Sequence, residues 1–371
     1  MGKTLLVTND FPPTIGGIQS YLRDFLATLD PAEVVVFAST QDAVAATEYD
    51  RQVGYEVVRW PRRIMLPTPA TTRRMAKIIR EREIDTVWFG AAAPLALMAG
   101  AAREAGARRI ISTTHGHEVG WSMLPIARQV LRRIGRETDV LTYISEYTLR
   151  RFRRAFGSRP RFEHLPSGVD VELFRPLAED EKKQIRAEFG EGPLLVCISR
   201  LVPRKGQDQL IRALPEIRRR HPGTRLLIIG QGSYERTLRK MTEPLGEAVV
   251  FTGKVGLERM RSLLAAADIF AMPARTRGRG LDVEGLGIVY LEAQACGVAV
   301  IAGDSGGAPE TVTPESGMVV GGRDLGALID AADLLLSDPA LRGRMGQAGR
   351  EHVVASWTWE RMGERLRGIL A

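Results

Sequence analysis

The stretch LLVCISRLVPRKGQ, residues 194–207, decides the fold class of the C-terminal half of the chain. Its five leading apolar residues predict a strand that is buried on both faces, which is typical of parallel sheets. The loop after this strand ends at Lys205, where the pattern of a helix begins. A strand, a loop and a helix in this order indicate one repeat of an α/β domain.

The same alternation runs through both halves of the 371-residue chain, with six predicted strands in each. We therefore predict two Rossmann-like parallel-sheet domains that face an interdomain cleft. The stretch 165–192, which is rich in proline, glycine and charge, predicts the linker. The predicted domains are 1–170, onto which a last helix at about 357–371 packs back, and 171–356.

Composition excludes several classes of protein. With 44% hydrophobic and 26% charged residues, the chain is globular rather than disordered. The N-terminus predicts a first strand rather than a signal peptide, and no apolar stretch reaches the roughly 20 residues that span a bilayer. Cys197 and Cys296 both lie in apolar contexts, so we expect buried thiols in a reducing compartment. These features together predict a cytoplasmic protein.

The net charge of +8 is unevenly distributed. Residues 1–175 contain 25 Lys+Arg and 19 Asp+Glu, a net charge of +6. The remaining residues contain 27 and 25, a net charge of only +2. A basic face in the first half would attract an anionic lipid, a nucleic acid or a phosphorylated substrate.

Two loops of the first half carry candidate functional residues. Gly16 and Gly17 precede a helix, where free amides bind anions, although a glycine pair is also common in purely structural turns. His115 and His117 follow a later strand and lie two residues apart beside Glu118. They are either metal ligands, or loop histidines of which one is hydrogen-bonded within the protein and one is exposed. We favour a third interpretation, in which a histidine forms hydrogen bonds in the cleft.

The second half carries a pattern typical of phosphate binding. Arg200 and Lys205 place two cations around a helix start, where the helix dipole favours an anion instead. A bound diphosphate would compensate them. The segment EGLGIVYLE, residues 284–292, starts a helix near Gly287 and Ile288 between the carboxylates of Glu284 and Glu292. Gly230 ends another strand, where a nucleotide can approach the backbone.

Together with GVAVIA at 297–302, this pattern resembles the retaining glycosyltransferases of family four, which have the GT-B fold. Further motifs resemble the GDP-mannose-dependent phosphatidylinositol monomannoside α-1,6-mannosyltransferases of that family. These motifs are VTNDFPP at 7–13, WFGAAAP at 88–94, THGHEVGWSMLP at 114–125 and RTRG at 275–278. One departure is Ala299, where the family commonly has proline.

This resemblance implies transfer of mannose from GDP-mannose to phosphatidylinositol monomannoside, with retention and without a metal or other cofactor. It implies the following site residues. Arg200 and Lys205 neutralise the diphosphate, Glu284 holds mannose, Glu292 holds ribose, His115 lies near the reacting carbon, Gly16 or Gly17 contacts the diphosphate, and Lys254 and Val255 receive guanine.

The basic half is predicted to serve the acceptor at the inner face of the cell membrane. Asn9 and Asp10 are candidate acceptor contacts, and Arg62 and Arg63 a candidate membrane contact. The run 149–162 alternates arginine with phenylalanine, so Arg151 and Phe152 are further candidates if this run is a helix lying on anionic lipid. A solvated arginine face with its phenylalanines packed inward is the alternative for this run.

Three rival functions remain open at this stage. The pattern also fits a family-four transferase with a UDP-sugar or another acceptor, and a nucleotide-sugar epimerase of the same fold. A nucleic-acid binder would explain the pI of about 9.8, but the chain has no recognition motif for nucleic acid. We predict no nucleic-acid partner and no stable protein partner.

Overall fold

The computed structural model describes residues 2–371, which divide into two compact units. The first unit holds the residues up to Gly168 together with Trp359–Ala371, and the second is Val169–Thr358. Met1, with which the predicted N-terminal domain begins, lies outside the described residues. The predicted boundaries, at residues 170 and 357, lie two residues from these.

Within the described part of the first unit, seven strands form one parallel sheet. In chain order they are β1 (Lys3–Thr8), β2 (Val34–Ser39), β3 (Glu56–Trp60), β4 (Ile84–Phe89), β5 (Arg109–Thr113), β6 (Val140–Tyr143) and β7 (Arg161–His164). Their order in the sheet is β3-β2-β1-β4-β5-β6-β7, and every pair is parallel. The chain therefore reverses its direction of winding between β1 and β4.

The helices of this unit cover both faces of the sheet. They are α1 (Gly17–Leu26), α2 (Ala43–Asp50), α3 (Pro69–Glu81), α4 (Ala99–Glu104), α5 (Glu118–Met123), α6 (Pro125–Glu137) and α7 (Glu146–Phe156). Short 3-10 turns lie at Pro31–Glu33 and Leu95–Met98.

The second unit, all of which the structure describes, contains a six-stranded parallel sheet. Its strands are β8 (Leu194–Ile198), β9 (Arg225–Ile229), β10 (Val249–Gly253), β11 (Ile269–Met272), β12 (Ala299–Gly303) and β13 (Gly317–Val320). They lie in the order β10-β9-β8-β11-β12-β13, with all pairs parallel. The reversal of winding here falls between β8 and β11.

The helices of the second unit again lie on both sides of its sheet. They are α8 (Glu179–Arg186), α9 (Gln207–Arg220), α10 (Glu235–Thr242), α11 (Leu257–Ala265), α12 (Ile288–Ala295), α13 (Leu325–Ser337) and α14 (Pro339–Ser356). Four 3-10 turns complete it, at Pro203–Lys205, Glu243–Ala248, Gly278–Gly280 and Ala308–Thr311. The last helix of the chain, α15 (Trp359–Leu370), belongs to the first unit.

The core of the first unit consists of two apolar layers, one on each face of the sheet. Alternate residues of β1 point to opposite layers, as the pleat of a strand requires: Leu5 packs with α3, α4, α6 and α7, and Leu6 packs with α1 and α15. On the α15 side, the ring of Trp359 meets that of Phe25 at 5.1 Å. The chain terminus is therefore part of the core of the first unit.

Several helix starts follow directly from local sequence. Thr68 caps α3 through a reciprocal box with Thr71, and Pro69 occupies the first turn, where its missing N–H costs nothing. Asp338 caps α14 by accepting from the backbone N–H of Leu341, and Pro339 occupies its first turn.

The predicted fold class is confirmed, since both units are parallel α/β sheets. Two details differ from the prediction. The run 149–162 is not one helix, because α7 ends at Gly157, whose φ of 90° breaks it, and Arg161 and Phe162 belong to β7. The predicted linker contains the helix α8, which three acidic residues in its first turn stabilise. No helix among residues 2–371 is long and apolar enough to cross a bilayer.

Candidate functional site

The predicted phosphate-binding residues lie where ligands bind in open parallel sheets. The reversal of winding between β8 and β11 opens a crevice beyond the carboxyl ends of these two strands. Loop 199–206 follows β8 and loop 273–287 follows β11. Parallel pairing of the two strands brings both loops to the same edge of the sheet.

Lys205 and Glu284, one from each loop, form a nearly buried ion pair. The Lys205 Nζ lies 2.6 Å from the Glu284 Oε2, and the two side chains are 10% and 8% exposed. Arg204 extends the cluster, with Nη1 at 3.1 Å from the Asp282 Oδ1 and Nε at 3.8 Å from the Glu284 Oε2. We expected an anion to compensate the positive charge of Lys205 at the start of a helix. In this structure that anion is the carboxylate of Glu284.

Backbone geometry fixes Lys205 in this place. Gly206, which caps α9, has a φ of 80°, and a Cβ on it would lie 2.1 Å from the carbonyl oxygen of Pro273. Only glycine permits this close contact between the two loops. On the other side, the Gln207 Nε2 donates to the Ser199 Oγ at 2.7 Å and to the Arg200 carbonyl at 3.1 Å, which anchors the loop to the end of β8.

Glu284 is held just as firmly. Its backbone N–H donates to the Ser305 Oγ, and its carbonyl accepts from the backbone N–H of Gly307. Gly306 approaches so closely that a Cβ there would lie 1.8 Å from the Glu284 carbonyl oxygen. The carboxylate of Glu284 is thus carried on rigid backbone.

The sequence did not reveal a second buried ion pair, between Arg275 and Asp208. The Arg275 Nη2 lies 2.9 Å from one carboxylate oxygen of Asp208 and 3.0 Å from the other. The Arg275 backbone N–H also donates to the Arg204 carbonyl at 2.8 Å. Arg275 therefore ties loop 273–287 to the first turn of α9. An acidic residue in the first turn of a helix whose start is cationic was the signal that could have indicated this pair.

Arg200 differs from its neighbours. Its side chain is exposed and forms no ion pair with any residue from 2 to 371. Carboxylates of this cluster pair with three of its cations, Lys205, Arg204 and Arg275. The positive charge of Arg200 is therefore the one that no carboxylate of the cluster compensates. Such a charge at a rigid strand end favours an anionic ligand.

The helix α12 begins beside this cluster. Gly287, with a φ of 88°, is its N-cap and provides no side-chain cap, so the amides near Ile288 have no side-chain acceptor. Glu292 lies one turn further along α12, where burial raises the pKa of its carboxyl to about 7. The Glu292 carboxylate has no hydrogen-bond or ion-pair partner among the described residues.

Three other predicted donor residues occupy the same edge of the sheet without touching the ion-pair cluster. Gly230 ends β9, its N–H donates to the Gly253 carbonyl, and a Cβ on it would lie 2.0 Å from the Ser199 carbonyl. The glycine is thus needed for packing between strand ends. Lys254, which is exposed, and Val255 follow directly after β10.

In the first unit, His115 follows β5 and faces a pocket. Its Nε2 lies 2.7 Å from the Gly90 carbonyl oxygen, so this nitrogen must carry a proton and donate it. Burial lowers the pKa of His115 to about 4, which keeps the ring neutral at pH 7. The Nδ1 then holds a lone pair, and it can accept a hydrogen bond from a hydroxyl group.

The pocket beside His115 encloses about 330 Å³. Its lining is mixed polar and apolar: Asp10, Ile18, Ala91, Ala93, His115, His117, Glu118 and Trp121. Burial raises the pKa of Asp10 above its ordinary value, and His117 partly opposes this shift. The structure thus brings the predicted residues Asp10 and His115 into one pocket.

The loop around His115 is held by Glu118. The Glu118 Oε2 accepts from the backbone N–H groups of His115 and Gly116 at 3.2 and 3.1 Å. Burial nevertheless raises the pKa of this carboxyl to about 7. Glu118 is therefore a support for the histidine loop, a role that the sequence did not indicate.

The other predicted residues of the first unit have varied surroundings. Gly16 and Gly17 form the start of α1, which has neither a side-chain cap nor an acidic residue in its first turn. Asn9 is occupied on both sides of its amide, donating to the Met65 carbonyl at 2.9 Å and accepting from the Met65 N–H at 2.7 Å. It therefore fixes the exposed loop that carries Arg62 and Arg63.

The prediction for Phe152 is wrong. Its ring is fully buried in the core of the first unit and packs edge-on against Phe156. Because α7 is amphipathic, its phenylalanines face inward and its arginines face solvent. Arg151 is exposed, and its guanidinium lies over the ring of Tyr147 at 5.9 Å.

The chain is similar in sequence to known glycosyltransferases over both units. Residues 15–173 match the family model "Glycosyltransferase Family 4", and residues 178–352 match "Glycosyl transferases group 1". A protein of Corynebacterium glutamicum, named GDP-mannose-dependent monoacylated alpha-(1-6)-phosphatidylinositol monomannoside mannosyltransferase, is 64% identical over 99% of this chain and 97% of its own length. A Mycolicibacterium smegmatis protein, named GDP-mannose-dependent alpha-(1-6)-phosphatidylinositol monomannoside mannosyltransferase, is 55% identical over 99% and 98%.

Among solved structures, the crystal structure of Anabaena Alr3699/HepE in complex with UDP is similar in fold. It superposes with a TM-score of 0.82 at 20% sequence identity and covers 100% of this chain and 99% of its own. At this identity the likeness concerns the fold alone.

Proposed function

Because the chain belongs to the glycosyltransferases of group 1 and family 4, with the two parallel-sheet units of the GT-B fold, we propose that it transfers mannose from GDP-mannose to phosphatidylinositol monomannoside. The product would be the dimannoside with an α-1,6 linkage. The observation that carries this proposal is the 64% and 55% identity, over nearly the whole chain, to relatives named for this reaction.

The ion-pair cluster of the second unit is suited to the leaving group. When the glycosidic bond breaks, the diphosphate gains negative charge and the anomeric carbon becomes positive. Arg200 would bind the diphosphate first, since its charge is uncompensated. Lys205 would then share its charge between the diphosphate and Glu284, which leaves one Glu284 oxygen to accept from mannose hydroxyls.

The start of α12 would complete the donor site. Free amides near Gly287 and Ile288 suit a phosphate oxygen, and Glu292 suits the paired hydroxyls of a ribose. A carboxyl with a pKa of about 7 can either donate to a hydroxyl or accept from one. Gly230, Lys254 and Val255 would lie towards the base.

His115 would orient the sugar through a hydrogen bond and would not act as a base. Its Nε2 proton is already committed to Gly90, and its neutral Nδ1 would accept from a mannose hydroxyl near the reacting carbon. Asp10 lines the same pocket, and its carboxylate would accept a hydrogen bond from the hydroxyl group of the lipid substrate that receives the mannose. From the first unit, Gly16 or Gly17 would offer amides to the diphosphate.

Two features of the reaction belong to this proposal. The first is retention of configuration by front-face attack, with the leaving phosphate taking the acceptor proton. The second is independence of metal, because fixed cations of the protein neutralise the leaving group. Turnover that persists undiminished in EDTA would support the second feature, and restoration by Mg²⁺ of turnover lost in EDTA would refute it.

The acceptor is a lipid, so the enzyme would work as a peripheral protein at the inner face of the cell membrane. Nucleic acid and a stable protein partner have no place in this scheme. The names of the relatives differ in whether the monomannoside is monoacylated, so both forms of the acceptor should be compared as substrates.

The test is transfer of radiolabel from GDP-mannose to purified phosphatidylinositol monomannoside. We expect a labelled dimannoside, and Arg200→Ala should reduce kcat about 100-fold or more, as loss of one leaving-group contact does. Calorimetry should show binding of GDP in preference to UDP and ADP. Preference for UDP would overturn the proposed donor. If the enzyme binds GDP but no labelled lipid forms, the proposed acceptor is wrong.

A further inference from the structure

The first unit contains two arginine-rich segments without any acidic residue. Residues 119–136 and 147–162 together hold ten arginines and no aspartate or glutamate. Two of the ten, Arg159 and Arg161, pair with carboxylates elsewhere. The other eight have no ion pair with any residue in the described part of the chain. The whole net charge of +8 also belongs to this unit, which has 27 Lys+Arg against 19 Asp+Glu.

The fold brings these two segments together. Helices α6 and α7 pack so closely that a Cβ on Gly135 would lie 1.9 Å from the Phe156 carbonyl oxygen. As a result, arginines from both helices surround a single open pocket of about 630 Å³, which we call the arginine pocket. The arginines are Arg128 and Arg132 from α6, and Arg153 and Arg154 from α7.

An aromatic ring forms part of the lining of the arginine pocket. Phe162 of β7 lines it, and the guanidinium of Arg153 lies 5.2 Å from the centre of this ring. The pocket therefore combines four guanidinium groups with apolar surface. One guanidinium group can donate two parallel hydrogen bonds to two oxygens of a phosphate. A ligand that carries a phosphate therefore matches this pocket best.

Exposed apolar side chains lie directly beside the arginine pocket. Met123, Leu124 and Ile126, at the corner between α5 and α6, are 44%, 61% and 81% exposed. A smaller pocket is lined by Met123 of this apolar corner and by Arg128 and Arg132, which also line the arginine pocket. Large apolar side chains rimmed by arginine are typical of surfaces that enter the headgroup region of a bilayer.

We propose that the arginine pocket binds the phosphate headgroup of an anionic membrane phospholipid, distinct from the acceptor, while Leu124 and Ile126 enter the bilayer. This inference rests on the proposed function, which requires a lipid acceptor. The apolar corner is the reason for choosing a bilayer over nucleic acid, because nucleic acid offers no apolar phase to Leu124 and Ile126. The eight unpaired arginines supply the long-range attraction to an anionic surface.

The position of α5 links this surface to catalysis. Glu118 and Trp121 on this helix line the His115 pocket, and Met123 at its other end lines the smaller pocket. A helix of six residues is about 9 Å long. A bilayer held at the apolar corner would therefore lie at one end of α5, and the His115 pocket lies at the other.

The test uses the full-length chain and vesicles of phosphatidylcholine with or without phosphatidylglycerol. The pocket variant is Arg128→Gln/Arg132→Gln/Arg153→Gln/Arg154→Gln. Its matched control, Arg212→Gln/Arg236→Gln/Lys240→Gln/Arg344→Gln, removes four exposed cations of the second unit that have no ion pair in the described chain. We expect the pocket variant to bind anionic vesicles about 100-fold more weakly and the control to change several-fold at most.

The apolar contribution is tested separately. Leu124→Asn/Ile126→Asn should weaken vesicle binding at least tenfold, whereas Leu257→Asn/Leu334→Asn, at exposed positions of the second unit, should not. Equal losses in the pocket variant and its charge control would overturn the proposal. The proposal would also be overturned if the pocket variant still bound vesicles but no longer bound DNA. A third contrary result would be a loss of vesicle binding in Arg62→Gln/Arg63→Gln but not in the pocket variant.

Affinity for GDP separates this inference from the proposed function. The pocket variant should bind GDP like the wild type but transfer less mannose to acceptor embedded in anionic vesicles. If the wild type binds vesicles through the arginine pocket and yet transfers no mannose, the proposed reaction fails and the docking surface stands. If it transfers mannose and the pocket variant binds vesicles unchanged, the docking surface fails alone.

Discussion

The ion pair between Lys205 and Glu284 allows a quantitative prediction. Because both side chains are at least nine-tenths buried, Lys205→Met leaves a carboxylate in a poorly solvated place. Breaking a buried pair in this way typically costs about 3 to 5 kcal/mol. Arg204 remains 3.8 Å from the same carboxylate, so we expect the lower end of this range. Glu284→Gln should cost a similar amount, because it leaves Lys205 without its 2.6 Å partner.

The double variant should cost less than the sum of the two single ones, by about 2 kcal/mol, because it leaves no unpaired charge. Urea unfolding without nucleotide, followed by circular dichroism, gives the free energies for this cycle. Arg200→Met is the matched control, since it removes an exposed, unpaired cation of the same loop and should cost less than about 0.5 kcal/mol. The reasoning is refuted if the single effects add within about 0.5 kcal/mol, or if Lys205→Met is as harmless as Arg200→Met.

Two further predictions concern the first unit. Glu118→Gln removes a carboxyl whose pKa is raised from 4.5 to about 7, so the folded wild type loses stability as the pH rises through this interval. The unfolding free energy of the variant relative to wild type should therefore rise by about 2 to 3 kcal/mol between pH 4 and pH 8, and a constant difference would contradict this. Gly135→Ala should destabilise the unit by about 1 to 3 kcal/mol, because its Cβ collides with the Phe156 carbonyl. Gly343→Ala, a helical glycine with open space around it, is the control and should be neutral or stabilising in the same thermal melt.

The fold class could be predicted from the sequence because buried parallel strands leave an unmistakable local pattern. The run of β8 is apolar throughout, and the polar residues Ser199 and Arg200 follow it at once. β7 was missed for the opposite reason. It is an edge strand of four residues, and its Arg161, together with Arg159 just before it, continues the composition of α7. Only Gly157, with its positive φ, separates the two elements, and one glycine is weak evidence against a helix.

The candidate site was predictable to the extent that its residues follow strand ends. Lys205 and Glu284 come after two strands that the sheet places side by side, although they are 79 positions apart. Their direct pairing could not be predicted, because it depends on the contact between Gly206 and Pro273 across the two loops. The inward orientation of Phe152 was one of two interpretations, and burial decided between them.

The return of α15 to the first unit has a consequence for synthesis. Met362, Leu366 and Ile369 fill one apolar layer of a sheet whose last strand ends at His164. At roughly 5 to 20 residues per second, a ribosome needs about 10 to 40 s to add the second unit between them. The nascent first unit therefore waits with an uncovered groove beside α1, which makes it a substrate for chaperones until the final helix emerges. The part of the protein that is made first is completed last.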